Sequence, residues 1–137
     1  MAAGNKKETK FREELILASA LLHTAPPRDV IRPNCSRVLE HALFAAGLWD
    51  QVKESVYAGF HGDMEDAPII ALWYSTLIAL TRRKPKSKKL LEGGGNLVLP
   101  AGAYFTACWL TDAGRAAALK LFKQNPEWLD LLTAPIP

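Results

Sequence analysis

Cysteine is scarce in this 137-residue chain, with only Cys35 and Cys108 present. Their spacing is not that of metal ligands, and two thiols make no disulfide framework. A reducing, cytoplasmic setting is therefore expected. Long apolar runs are also lacking. The longest, Ile69–Leu80, falls well short of the roughly 20 residues that cross a bilayer, so no membrane partner is expected. The N-terminal Met-Ala-Ala-Gly-Asn-Lys-Lys-Glu has no apolar core of the kind a secretion signal requires. Internal repeats and low-complexity tracts are absent, as are the GxSxG, HExxH, P-loop and dinucleotide fingerprints. His23 and His41 have no neighbouring acid or nucleophile in sequence, and read as a helix-end residue and an exposed helical residue. One loop, His61-Gly62-Asp63-Met64-Glu65-Asp66, gathers a histidine and three acids. With no second cluster to complete a shell, its acids are read as favouring the N-terminus of the next helix. The chain is expected to be no enzyme and to need neither cofactor nor metal.

What is present is a core. Hydrophobic residues make up 49%, enough for one ordinary domain over residues 9–137 behind a tail of 1–8. Phe11, Leu15, Ala18 and Leu22 recur at helical spacing within Thr9–His23, and Pro26-Pro27 stops that helix. A second helix, capped by Asn34 or Ser36, should bury Val38, Leu39, Ala42 and Leu43 and end at Gly47, with Leu48 folding back. A short amphipathic segment, Gln51–Tyr57, follows. Asp66 and Pro68 then open a helix that is apolar around almost its whole circumference to Leu80, and this stretch is expected to organise the core. Leu97–Leu99 and Tyr104–Leu110 read as the strands of one antiparallel hairpin, with Gly93–Gly95 a turn or bulge before it. Thr111 caps a further helix, and Asn125-Pro126 separates it from a last helical turn or two at Glu127–Leu132. The expected fold is α+β and mainly α.

Charge is the most informative feature. Net charge is +3, yet Arg82, Arg83, Lys84, Lys86, Lys88 and Lys89 place six cations in eight residues with no acid among them. Without them the chain has 11 Lys and Arg against 14 Asp and Glu, or −3. The positive field is therefore local, which suits a binding face better than general solubility.

The segment Cys108-Trp109-Leu110-Thr111-Asp112-Ala113-Gly114-Arg115-Ala116-Ala117-Ala118 resembles the end of the wing in winged-helix proteins. There the last strand closes on a Leu-Thr-x-x-Gly-Arg-like stretch and enters a C-terminal helix. The likeness is close over 108–118 and loose over 67–122. It implies a winged helix-turn-helix fold for the domain of 9–137, with its hairpin near the C-terminal third of the chain and DNA binding as its commonest use. Ile69–Leu80 departs from the family by lacking a polar face, so no recognition helix is assigned. Two functions follow. In the first, the six cations of 82–89 contact phosphates of nucleic acid, DNA ahead of RNA, with Lys6, Lys7 and Lys10 adding to them. In the alternative, the chain is an assembly module that forms a homodimer through Trp49, Trp73 or Trp128, and the basic run is a solvated loop.

Overall fold

The centre of the molecule is the first helix, α1 (Lys6–His23). The computed structural model describes residues 6–24, 34–59, 68–82, 88–94, 97–99, 102–104 and 107–137. Helix α1 begins earlier than expected, so Lys6–Glu8 belong to it rather than to a tail. Every residue from Leu15 to Ala20 is buried, although amphipathic spacing predicts one apolar face. The reason is tertiary. Helices α2 (Asn34–Ala45), α4 (Pro68–Thr81), α5 (Asp112–Gln124) and α6 (Trp128–Thr133) and strand β4 (Ala107–Leu110) all contact α1. Its buried polar groups are satisfied, as burial requires. The Ser19 hydroxyl donates to the Val38 carbonyl at 2.7 Å. The Arg12 Nε donates to Thr76 Oγ1 at 3.2 Å, and that hydroxyl donates to the Leu72 carbonyl at 2.9 Å.

Helix α2 buries Val38, Leu39, Ala42 and Leu43 as its spacing predicts. It ends in a Schellman turn at Gly47, whose φ is 78°. The Leu48 N–H reaches the Leu43 carbonyl and the Gly47 N–H reaches that of Phe44, each at 3.0 Å. These two bonds satisfy carbonyls that the helix end would orphan. Helix α3 (Trp49–Gly59) follows at once and buries Trp49 and Val52.

Helix α4 buries Ile70, Trp73, Tyr74 and Leu77, and Leu80 is half-buried. The expectation that it organises the core is corrected, however. Pro68, Leu72, Ser75 and Ala79 are exposed at helical spacing, so α4 lies at the periphery with one stripe facing water. The expected cap, Asp66, and the loop 61–66 lie outside the described residues.

The chain then forms one antiparallel hairpin in two ladders. Strand β1 (Leu91–Gly94) pairs with β4, placing Leu91 opposite Leu110 and Gly94 opposite Ala107. Strand β2 (Leu97–Leu99) pairs with β3 (Gly102–Tyr104). The hairpin is thus longer than its apolar alternation predicts. Gly93 and Gly94 are strand residues rather than a turn, because β4 supplies backbone partners that a sequence pattern cannot reveal. Gly95 lies outside the described residues. Ala107 and Cys108 are both buried, against the expected alternation, since β4 also packs on α1, α2 and α5. The result is an α+β domain, mainly α. No helix among the described residues is long and apolar enough to cross a membrane.

Candidate nucleic-acid interface

The basic run joins α4 to β1, and both of its ends are held. On the α4 side, Thr81 is buried and its hydroxyl donates to the Ile78 carbonyl at 2.6 Å. The Arg82 N–H reaches the Ala79 carbonyl at 3.2 Å, which continues the helix into the first cation. A cation there also suits the negative end of the helix dipole.

On the hairpin side the anchor is the Leu110-Thr111-x-x-Gly114 stretch. Thr111 Oγ1 accepts from the Gly114 N–H at 3.0 Å and so caps α5. The same hydroxyl donates to the Lys89 carbonyl at 2.5 Å, and the Thr111 N–H reaches the Leu90 carbonyl at 3.2 Å. Gly114 makes this possible, because a Cβ there would collide with the Leu90 carbonyl. One threonine and one glycine therefore cap a helix and pin the backbone at the C-terminal end of the basic run.

Of the six cations, Arg82 and Lys88 are exposed and have no ion-pair partner among the described residues. Lys89 is half-buried, and its Nζ lies 3.4 Å from the Glu92 carboxylate. Arg83, Lys84 and Lys86 lie outside the described residues. Lys6, Lys7 and Lys10 are exposed on the first turns of α1. The outward stripe of α4, Pro68–Leu72–Ser75–Ala79, carries none of the Arg, Lys, Asn or Gln side chains that read base edges in bidentate fashion, and Ser75 is its one polar residue.

Of the other chemistry-bearing groups, His23 ends α1 as expected, whereas the tryptophans and His41 depart from expectation. Trp49 and Trp73 are 5% and 3% exposed, so neither presents surface to a partner. Trp128 is half-buried, edge-on to Phe11 with ring centroids 6.5 Å apart. His41 is half-buried rather than exposed, and its ring stacks on His23 at 3.9 Å, tilted by only 11°. His23 Nε2 meets the Leu132 carbonyl at 2.8 Å, so the neutral ring carries its proton there. Burial lowers the basicity of both rings. His41 also feels His23 and Arg37, and its pKa falls to about 4. No sequence signal announces this pair, since 18 residues of chain separate its members and only packing unites them.

Cys35 and Cys108 are free and buried. The hydrogen bond between them, and then burial, push the Cys35 thiol well up, the opposite of an activated nucleophile. Among the described residues no three His, Cys, Asp or Glu side chains gather as a metal site. No protein-family model matches the chain, and neither a curated protein nor a solved structure does.

Proposed function

We propose that the chain is a nucleic-acid-binding module of winged-helix type, with DNA as the preferred partner. It contacts phosphates through Arg82, Arg83, Lys84, Lys86, Lys88 and Lys89. The observation that carries this reading is the tethering of the basic run. Arg82 is hydrogen-bonded to the end of α4 and the Lys89 carbonyl to the base of a hairpin, and Arg82 and Lys88 are exposed with no ion-pair partner among the described residues. Six cations within eight residues, on a chain otherwise at −3, attract the counterion-dense phosphate backbone, and binding releases those counterions. Lys89 contributes least because Glu92 already neutralises it. The lack of exposed Arg, Lys, Asn or Gln on the outward stripe of α4 suits binding that is tolerant of sequence.

The test is a titration against duplex DNA over a salt series. About four phosphate contacts should give a slope of log K against log salt near −3.6, at roughly −0.9 per contact. Changing Arg82, Arg83, Lys84 and Lys86 together to Ala should flatten that slope and weaken binding alike across sequences, leaving thermal stability nearly unchanged. Folded protein that binds neither DNA nor RNA at low salt would end this reading. An unaltered slope in the quadruple variant would move the contact surface elsewhere.

A further inference from the structure

A second surface lies on α1, α5 and α6. Leu21, Leu22, Leu119, Phe122, Pro126 and Leu129 line a groove of about 370 Å³. Leu119 and Leu129 each stand 50% exposed. Isolated exposed leucines are ordinary, but two such residues on the walls of one apolar groove form a continuous patch of the kind that marks an interface.

The charges around this groove are segregated. After Asp112, helix α5 carries only cations, namely Arg115, Lys120 and Lys123. Arg115 and Lys123 each lie one turn from Leu119 on the same helix face. The α6 segment carries only acids, Glu127 and Asp130. All five are exposed, and none forms an ion pair among the described residues.

We infer that this face pairs with a second copy of the chain across a two-fold axis. An isologous interface uses the same patch on both copies, so that patch must be self-complementary, with each contact made twice across the axis. This face has both halves: projecting leucines beside a groove to receive them, and a cationic helix beside an anionic one. In the pair, Leu119 and Leu129 enter the partner copy's groove, and each α5 lies against the other copy's α6 segment. The leucines supply affinity, and the charges set orientation and exclude the parallel alternative.

The inference is independent of the nucleic-acid reading and is tested with no nucleic acid present. Sedimentation equilibrium of the full chain over about a hundredfold range of concentration should show a reversible monomer–dimer equilibrium, as mass action requires. The double change L119K/L129K should raise the dimer dissociation constant by at least about tenfold, the loss expected of central anchors. Leu72→Lys places the same charge at another exposed leucine, on α4, and should leave dimerisation unchanged.

Charge reversal then tests the pairing itself. R115E/K120E/K123E makes both helices acidic, and E127K/D130K makes both basic. Each variant should be monomeric alone, and an equimolar mixture should form the heterodimer, a result that damage to folding cannot produce. Wild-type protein that is folded yet monomeric at every concentration would overturn the inference. So would a dimer indifferent to L119K/L129K, or charge-reversed variants that fail to pair when mixed.

Discussion

Helices α1 and α4 invert the ranking that their sequences suggest. Residues 69–80 of α4 are apolar almost throughout, whereas α1 opens on Lys-Lys-Glu-Thr-Lys-Phe-Arg-Glu-Glu and looks like a surface helix. Yet α1 is buried on all sides between Leu15 and Ala20, and α4 turns Leu72 and Ala79 outward. Local hydrophobicity states how much a helix can bury. Position among the other elements decides how much it does bury, and α1 is the one contacted by four helices and a strand. The difference also assigns roles. The buried helix holds the fold, and the peripheral one ends by placing Arg82, the first cation of the basic run, at the surface.

The largest expected effect tests the centre of α1. Ile16 is fully buried, so Ile16→Ala should cost about 2–5 kcal/mol of unfolding free energy, as large-to-small core changes do. Leu77→Ala, at the buried side of α4, should fall in the same range. Denaturant unfolding of both variants checks this. A loss under about 1 kcal/mol for Ile16→Ala would remove α1 from the centre.

A middle effect, read by pH, belongs to the C-terminal end of α1. His23 closes α1 against His41 and the Leu132 carbonyl. The folded-state pKa of both rings lies below the ordinary 6.5, so the unfolded chain binds protons more readily than the folded one. Stability should therefore be undiminished above about pH 6.5 and should decline as pH falls toward about 4. Arg37 reinforces this decline, because its charge opposes protonation of both rings. Burial raises the pKa of Glu40 on α2, which acts in the opposite sense near the lower end of that range. The comparison to make is wild type against His41→Gln, in which the Glu40 contribution largely cancels. The variant should lose less stability between pH 6.5 and 5, read by urea midpoints. Equal losses in the two proteins would place the acid sensitivity elsewhere.

The smallest effect belongs to the outer stripe of α4. Leu72 is 43% exposed, so Leu72→Ser should change stability by no more than about 0.5 kcal/mol. A larger loss would mean that this face is covered in solution, which the same concentration series used for the dimer would reveal.

Much of the local structure was legible in the residues. Gly47 followed by Leu48 marks a helix end whatever surrounds it, because the left-handed turn and its two hydrogen bonds are made within six residues. Thr111 and Gly114 announce a capped helix beside a strand for the same reason: a hydroxyl three residues before an N–H, and no Cβ where a backbone approaches. The concentration of charge at 82–89 is likewise a property of the sequence itself. What sequence could not decide were relations between distant residues. That Gly93 and Gly94 form a strand depends on Ala107 and Cys108 lying opposite. That Trp49 and Trp73 are core, while Leu119 and Leu129 stand at the surface, depends on which faces α1 and the hairpin already cover. The His23–His41 stack and the tether from Thr111 to Lys89 join residues 18 and 22 apart. Capping, turns and charge density arise over a few bonds of chain and are written in order. Burial and pairing are set by contacts closed only when the whole chain has packed, and there the tertiary structure alone chose α1 as the centre.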